Sequence, residues 1–385
     1  MLEALHRLAD GRPIRRTVPT PPRKSSRIAL KRPGSTITSL NIAIDARPLL
    51  YPHTGIGRYT SEIVNRLGQS HHRLFLYGHS SRPGRLTSTI ASQVNYPRWA
   101  KEDDIDVFWS PRHHLPLRVR APSVVTVHDM VWRRAPATMR RLGYLLDATL
   151  MPPSLRKAHA IIAVSESTRN DIACFYPRLA DRIRVIPEAA FLHGGPPDSP
   201  PVREKEILFV GTFEARKNLN RLLNAFALLR EDERISHRLL LAGRNGWKVD
   251  VEGTIEHLRL GDRVSIIDPG SDDDLAALYA RCDFFVLPSL YEGFGLPILE
   301  ALSFGKPVIT SSVSAMPEVT GQAGLLVDPY SVDEIHRAMR KLICDRELYE
   351  GLASRAAAQA GKFSWDDAAS ATLDVLEKVR YAGAA

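Results

Sequence analysis

The chain has 385 residues, of which 44% are hydrophobic and 25% charged, and its net charge is +9. This length exceeds the usual limit for one hydrophobic core, so we expect a soluble protein with two globular domains. An apolar signal segment and membrane-length apolar runs are absent from the sequence, and three widely spaced cysteines exclude a zinc motif or a disulfide framework, so a cytoplasmic location is expected.

The positive charge is concentrated at the N-terminus. Residues 1–39 hold nine lysines and arginines against two acidic residues, and the segment from Arg12 to Ser39 is rich in Pro, Ser and Thr. This composition predicts a disordered basic tail. The tail could tether an anionic membrane or nucleic acid, or it could be a solvated extension or sequence upstream of an unused start codon. A polybasic run is weak evidence by itself, and we expect no nucleic-acid partner.

From residue 40 onward, short apolar strands alternate with amphipathic helices, a pattern typical of a parallel, doubly wound α/β sheet. Residues 40–190 are therefore assigned to an N-terminal Rossmann-like domain. Its predicted strands are 40–46, 74–78, 107–110, 123–128, 160–165 and 183–187, and its predicted helices lie near 57–67, 138–158 and 166–175.

A segment with the Gly- and Pro-rich composition of an inter-domain linker follows at 191–204. Residues 205–363 are assigned to a second Rossmann-like domain, and a final helix at 364–380 is expected to cross back to the first. Open parallel sheets bind ligands at the carboxyl ends of their strands, so the two domains should face each other across a cleft. The second domain's predicted elements are the strands 206–211, 238–242, 264–267, 284–288, 307–311 and 325–328, and a helix at 218–229.

Two carboxylates eight residues apart, Glu292 and Glu300, bracket a glycine-rich turn in the second domain. Gly293 and Gly295 would let the backbone approach a ligand closely, and Pro297 suits the first turn of a helix. Amide groups at that helix start would face an anion. Because Glu300 lies more than a helical turn further on, the two acids must contact different parts of a long ligand. The segment therefore predicts a site for a phosphate-linked sugar.

Two further loops after strands carry glycines or cations. Gly55 and Gly57 open a helix, but the third glycine of the dinucleotide fingerprint is missing, so a tight turn and a functional loop remain equal alternatives. Arg216 and Lys217 lie directly before another helix, where they would neutralise a leaving diphosphate as its charge grows.

His128 ends an apolar strand at the expected cleft, so we predict that it donates to a substrate hydroxyl or to pyrophosphate. His113 and His114 lie beside prolines and are expected at a loop surface, with a role on the acceptor side as the alternative. The acids Asp272 to Asp274 directly precede an apolar helix, and an acidic helix start explains them better than metal binding does. No catalytic metal is predicted.

In this order the clusters resemble the retaining glycosyltransferases of family four, which have two Rossmann-like domains and the GT-B fold. The resemblance covers about residues 41–380, and its most specific element is the Glu-x7-Glu run from Glu292 to Glu300. Five segments look like the mannosyltransferase-like branch found in O-antigen and exopolysaccharide synthesis: IAIDARPL, TGIGRY, VHD, VSEST and VGTFEARKN.

The resemblance implies roles for the donor-site residues. Arg216 and Lys217 would bind the donor diphosphate, and Glu292 would orient the hexose. Amides of the Phe294-Gly295-Leu296 run would contact sugar and phosphate, and Glu300 would accept hydrogen bonds from the ribose hydroxyls. No cofactor is implied beyond the nucleotide sugar itself.

The resemblance implies that the domain of residues 40–190 binds the acceptor and that the domain of residues 205–363 binds the nucleotide-sugar donor. It also implies that His128 holds an outer sugar hydroxyl near the anomeric carbon. Gly55 and Gly57 would give room to acceptor and phosphate. The chain departs from many relatives in having Thr212 where they carry Arg, and Lys217-Asn218 where they carry Lys-Gly. This departure leaves the division of labour between Arg216 and Lys217 open.

The expected reaction is retaining and independent of metal. Retaining hydrolases place two carboxyls about 5 Å apart around the anomeric carbon, whereas here a helix keeps Glu300 away. We therefore expect the departing diphosphate to take the acceptor proton on the same face of the sugar. GDP-mannose is the first choice of donor, with UDP-sugars and GDP-fucose or rhamnose donors behind it.

A saccharide or a lipid-linked oligosaccharide at the inner membrane face is the expected acceptor. The basic patch formed by Arg133, Arg134, Arg140 and Arg141 could meet anionic headgroups, or it could be a solvated helix face. A nicotinamide-dependent oxidoreductase is excluded because neither glycine cluster supplies G-x-G-x-x-G with an acid about 20 residues on. A nucleotide-sugar epimerase of similar architecture and a non-catalytic nucleotide-sugar-binding protein remain alternatives.

Overall fold

The computed structural model describes residues 15–17, 39–78, 85–192 and 204–382. Within these ranges the chain forms two sheets, one in each half. The strands of the first sheet are β1 (Arg15–Thr17), β2 (Asn41–Asp45), β3 (Arg73–Tyr77), β4 (Val107–Ser110), β5 (Ser123–Val127), β6 (Ala160–Ala163) and β7 (Ile183–Val185). Their spatial order is β1-β3-β2-β4-β5-β6-β7, and every pair is parallel except β1 with β3.

Helices cover both faces of this sheet. Alternate side chains of β2 enter different apolar clusters, Ile42 and Ile44 on one face and Ala43 on the other, as the pleat of a strand requires. The helices of this half are α1 (Gly55–Leu67), α2 (Arg85–Glu102), α3 (Val131–Arg134), α4 (Arg141–Lys157) and α5 (Glu166–Phe175).

The second sheet contains β8 (Glu206–Val210), β9 (Arg238–Ala242), β10 (Val264–Ile267), β11 (Phe284–Leu287), β12 (Val308–Ser311) and β13 (Gly324–Val327). It is parallel throughout, in the order β10-β9-β8-β11-β12-β13. Its helices are α6 (Leu219–Arg230), α7 (Val251–His257), α8 (Asp272–Arg281), α9 (Leu296–Ser303), α10 (Met316–Thr320), α11 (Val332–Cys344) and α12 (Arg346–Ala360). The predicted pair of doubly wound domains is confirmed.

The last helix, α13 (Trp365–Ala382), packs on the first domain. The indole of Trp365 stacks on Phe191 and donates to the carbonyl of Ala190 at 3.0 Å. Further along the helix, the guanidinium of Arg380 bonds to Asp106 at 2.8 Å. The C-terminal end of the chain therefore stabilises the N-terminal domain.

Three features differ from the sequence analysis or lie outside the described residues. Helix α2 was not predicted, because Pro97 lies in its interior and its apolar residues follow no clear helical period. Most of the expected disordered tail and residues 193–203 of the expected linker lie outside the described ranges. Within the tail, Arg15–Thr17 pair antiparallel with β3. No helix in the described part of the chain is both long enough and apolar enough to cross a membrane.

Candidate active site

The topology of the second sheet places the predicted donor residues together. From β8 the sheet continues through β9 and β10 on one side and through β11, β12 and β13 on the other. A crevice for ligands forms at such a point, because the two neighbouring parallel strands send their connections to opposite faces of the sheet. The loop after β8 carries Arg216 and Lys217, and the loop after β11 carries Glu292. Two short loops that are distant in sequence therefore meet at one point of the cleft.

The β8 loop is shaped so that Lys217 points inward. Gly211 has a φ of +151°, and a side chain there would come within 3.3 Å of the Lys217 chain. Asn218 has φ 61° and ψ 31°, a left-handed conformation that asparagine tolerates better than most residues. Its amide donates to the carbonyls of Pro288 and Pro329. Asn218 thus takes a left-handed conformation directly before α6.

Glu292 binds both predicted cations. Its carboxylate lies 2.5 Å from Arg216 Nη1 and 2.7 Å from Lys217 Nζ, and it also accepts from Ser289 Oγ at 2.7 Å. Burial raises the pKa of Glu292, but the two cations outweigh it and hold this pKa at about 2. Burial lowers the pKa of Lys217 against the opposing effect of Glu292. The residues predicted to handle the diphosphate and the hexose therefore form one buried, charged cluster.

The space where Gly293 would carry a side chain is filled by the backbone of the other domain, a contact that the sequence analysis did not foresee. A β-carbon at this position would lie 1.7 Å from the carbonyl oxygen of His128 in the other domain. The carbonyl of Gly293 in turn accepts from Ser165 Oγ at 2.7 Å and from Thr168 Oγ1 at 3.1 Å. The glycine is needed because the two domain backbones meet there, so it sets the spacing of the cleft.

Helix α9 begins directly after this contact. Gly295 precedes it with a φ of +112°, which favours glycine, and the side chain of Phe294 is buried against Phe363. Among the described residues, no hydrogen bond uses the amide groups of Phe294, Gly295 or Leu296. These amides are therefore available at the positive end of the helix, as the resemblance implies for a phosphate or sugar oxygen.

Glu300 lies apart from the charged cluster. Its carboxylate accepts from Tyr279 Oη at 2.9 Å, and burial raises its pKa to about 7 despite that bond and the nearby charge of Arg58. Arg58 itself forms an ion pair with Asp272 across the domains. Asp272 lies in the acidic first turn of α8, as predicted, with Ser271 as the N-cap. The two glutamates therefore lie in separate parts of the structure, Glu292 against Arg216 and Lys217, and Glu300 against Tyr279.

The raised pKa of Glu300 should make the stability of the protein depend on pH. Between about pH 4.5 and 7 the unfolded state loses the Glu300 proton while the folded state keeps it, so the free energy of unfolding falls as pH rises. Across this window the free energy of unfolding of the wild type should fall by about 3 kcal/mol relative to that of Glu300→Gln. This figure follows from about 1.4 kcal/mol for each unit by which the pKa is raised. Urea titrations of both proteins at pH 5 and pH 8 measure the change, with the exposed Glu256→Gln as control. If the difference in the free energy of unfolding between the wild type and Glu300→Gln did not change with pH, the raised pKa of Glu300 would be contradicted.

His128 ends β5 beside the cleft, but both nitrogens of its ring are engaged. Nδ1 lies 2.8 Å from Glu188 Oε1, and Nε2 lies 2.9 Å from the carbonyl of Pro111. Burial lowers the pKa of His128, but Glu188 outweighs it and the net shift is upward. A hydrogen bond from this ring to a sugar hydroxyl therefore requires one of these two partners to be exchanged.

The two glycines at the start of α1 have different neighbours. A β-carbon on Gly55 would meet Leu296 at 3.7 Å, so this residue faces the start of α9 across the cleft. A β-carbon on Gly57 would lie 2.1 Å from the carbonyl oxygen of Tyr51, within its own domain. The expectation that both glycines make room for ligand is therefore corrected for Gly57, whose space is filled by the preceding turn.

His113 and His114 are buried, and the expectation of a loop surface is wrong. Asp147, from the interior of α4, lies 2.9 Å from His114 Nε2 and 3.9 Å from His113 Nε2. These three residues form one of two groups in the described ranges whose spacing would allow a metal ion; the other comprises His71, His72 and Glu377. Sequence spacing could not have linked Asp147 to the histidines, because α4 approaches them only in the folded domain.

A cavity of about 420 Å³ lies between the domains beside Arg216. Its walls come from both domains, and several of its polar residues were not predicted as site residues, among them Glu214 and Trp247. The lining consists of Ile56, His113, Asp129, Val131, Thr138, Met139, Arg140, Gly143, Asp147, Glu214, Arg216 and Trp247. Arg216, one member of the charged cluster, therefore lines a cavity that both domains share.

Two family models match this chain in adjacent parts. The model described as Glycosyltransferase Family 4 matches residues 53–189, and the model described as Glycosyl transferases group 1 matches residues 197–359. The O-antigen chain mannosyltransferase B of Escherichia coli is 33% identical to the chain, and the match covers 88% of this chain and 100% of that protein.

Solved structures agree on the fold. The sucrose-phosphate synthase of Thermosynechococcus elongatus superposes with a TM-score of 0.69 at 19% identity, covering 89% of this chain and 100% of that chain. Anabaena HepE, solved in complex with UDP-glucose, superposes with a TM-score of 0.65 at 18% identity, covering 90% and 99%. With the two facing Rossmann-like domains and the matched family models, the chain belongs to the family 4 glycosyltransferases with the GT-B fold.

Proposed function

We propose that this glycosyltransferase transfers mannose from GDP-mannose, with retention of the anomeric configuration, to a saccharide or lipid-linked saccharide in polysaccharide or O-antigen synthesis. The observation that carries the proposal is the cluster of Arg216, Lys217 and Glu292, of which Arg216 lines the inter-domain cavity. The choice of mannose is supported by the full-length match to an O-antigen mannosyltransferase.

In the proposed reaction, the donor diphosphate displaces the carboxylate of Glu292 from Arg216 and Lys217. Two cations then face the oxygen on which charge grows as the bond to the anomeric carbon breaks. The acceptor oxygen forms its bond to that carbon on the same face, and its proton passes to the departing diphosphate. Glu292, released from the cations, accepts hydrogen bonds from the hexose and holds it in place.

We propose that this reaction needs no metal ion. Metal-dependent sugar transfer uses a divalent cation to neutralise the diphosphate, and here the side chains of Arg216 and Lys217 are placed to supply that charge. Activity that survives dialysis against a chelator and is not raised by Mg²⁺ or Mn²⁺ would agree with this role. A requirement for either ion would contradict it.

The proposed function is tested by incubating the protein with GDP-mannose and a soluble mannoside acceptor. The expected products are GDP and a lengthened saccharide with an α-linkage, observed by mass spectrometry and by NMR of the anomeric proton. Conversion of the donor to a different nucleotide sugar without acceptor would indicate an epimerase. Tight donor binding without any product would indicate a binding protein. A parallel series with UDP-glucose and GDP-fucose tests the choice of donor.

We also propose peripheral contact with an anionic membrane surface. Exposed Leu142 and Leu145 adjoin Arg141 at the start of α4, whereas Arg134 and Arg140 are engaged in contacts within the protein. Replacing Arg141 and Leu145 with glutamate should abolish co-sedimentation with vesicles containing phosphatidylglycerol and leave GDP binding unchanged. Equal co-sedimentation of variant and wild type would reject the contact.

A further inference from the structure

The cavity beside Arg216 is rich in carboxylates. Asp129, Asp147 and Glu214 line it. Burial and the nearby charge of Asp147 raise the pKa of Asp129 against the opposing charge of Arg216. Two arginines also line the cavity: Arg216 is paired with Glu292, and Arg140 lies over the indole of Trp247. Three carboxylates therefore face two arginines in this lining, and the charge of one of these arginines is already neutralised by Glu292.

His113 lines the cavity, and the adjacent His114 is buried as well. Burial lowers the pKa of His113 to about 3, and nearby Arg112 acts in the same direction against the opposing charge of Asp147, so this ring is neutral at pH 7. Burial also lowers the pKa of His114, and Arg112 and Arg47 act in the same direction against the opposing effect of Asp147. The charge of Arg112, which acts on both rings, would also repel a metal ion at this point. A neutral imidazole can both donate and accept, which matches the hydroxyl groups of a sugar.

Two further groups in the cavity are suited to a polar, uncharged ligand. The indole Nε1 of Trp247 is buried and has no acceptor among the described residues, although the side chain lines the cavity. Nδ1 of His113 is likewise buried without a partner in the described part of the chain. Buried polar groups of this kind cost free energy unless a ligand or solvent satisfies them.

On these grounds we propose that the cavity binds the terminal ring of an uncharged saccharide acceptor and discriminates against an acceptor whose terminal ring carries a phosphate. The proposal rests on the proposed function, since it assigns the acceptor side of the same site. Asp129 and Asp147 accept hydrogen bonds from ring hydroxyls, and Trp247 bounds the ring from the donor domain. A phosphate would meet these carboxylates with like charge, and Arg140 alone would not offset their repulsion.

The test compares methyl α-mannoside with mannose 1-phosphate, which present the same ring with and without a charged substituent. Binding of each probe is measured by ligand-observed NMR in the presence of GDP, and transfer is measured with GDP-mannose. The wild type should prefer the neutral probe at least tenfold in both measurements. In Asp129→Asn and Asp147→Asn the affinity for methyl α-mannoside should fall several-fold. The ratio by which methyl α-mannoside is preferred over mannose 1-phosphate should fall at least threefold.

Asp262→Asn, an exposed acid of the donor domain, provides the matched control and should keep the wild-type preference. Trp247→Phe keeps an aromatic ring but removes the N–H donor, and it should weaken binding of the neutral probe without changing the affinity for GDP.

Equal binding of both probes to the wild type would overturn the inference. If transfer fails with every donor while the neutral probe still binds selectively, the proposed function fails and the inference stands. If transfer proceeds equally with both probes, the proposed function stands and the inference fails.

Discussion

Glu292→Gln is expected to lower the rate of sugar transfer by well over tenfold, a loss of more than about 1.4 kcal/mol in transition-state stabilisation. The substitution keeps the shape of the side chain but removes the charge that binds Arg216 Nη1 and Lys217 Nζ. Because these cations are then no longer neutralised, affinity for GDP should be retained or increased. Steady-state kinetics with GDP-mannose, together with calorimetric titration of GDP, measure both effects.

The opposite directions of these two effects separate a role in orienting the sugar from a purely structural one. A misfolded variant would lose GDP affinity together with turnover, and thermal unfolding would show it independently. The exposed Glu256→Gln in the same domain is the matched control and should behave as the wild type. Wild-type turnover in Glu292→Gln would reject the assignment of this glutamate to the reaction.

Gly293→Ala is expected to lower the rate of sugar transfer more than any other substitution that adds a single methyl group near the cleft. The new β-carbon would lie 1.7 Å from the carbonyl oxygen of His128, and a backbone atom cannot move aside as a flexible side chain can. The two domains must therefore separate or the loop must shift, which also strains the bonds from Ser165 and Thr168 to the Gly293 carbonyl. Transfer should fall by well over tenfold and the melting temperature should fall by several degrees.

Gly261→Ala serves as the control, because a β-carbon on Gly261 would have no atom within 4 Å. It should change neither rate nor melting temperature appreciably. If Gly293→Ala were equally harmless, the close contact of the two backbones would not be the arrangement that supports transfer.

The convergence of Arg216, Lys217 and Glu292 could be predicted from sequence because each residue follows a strand of a parallel sheet. Carboxyl ends of neighbouring parallel strands share one edge, so the type and order of the elements were sufficient to bring the three residues together. The separation of Glu300 from Glu292 could be predicted as well, since the rise of one helix fixes it.

Other features depend on tertiary contacts that have no local signal. The sequence shows that Gly57 and Gly293 are glycines, but not that backbone carbonyls of Tyr51 and His128 fill the space beside them. His113 and His114 are buried next to Asp147, which approaches them only after α4 packs on the domain. Helix α2 was missed because packing overrides the weak periodicity and the internal Pro97.

The central claim is that the side chains of the β8 loop bind the donor through its diphosphate. Calorimetric titration of GDP and of guanosine into the wild type and Lys217→Ala tests it directly, because the two ligands differ only in the diphosphate. The account predicts at least a tenfold loss of GDP affinity in the variant with unchanged affinity for guanosine. Equal GDP affinity in the two proteins would contradict it.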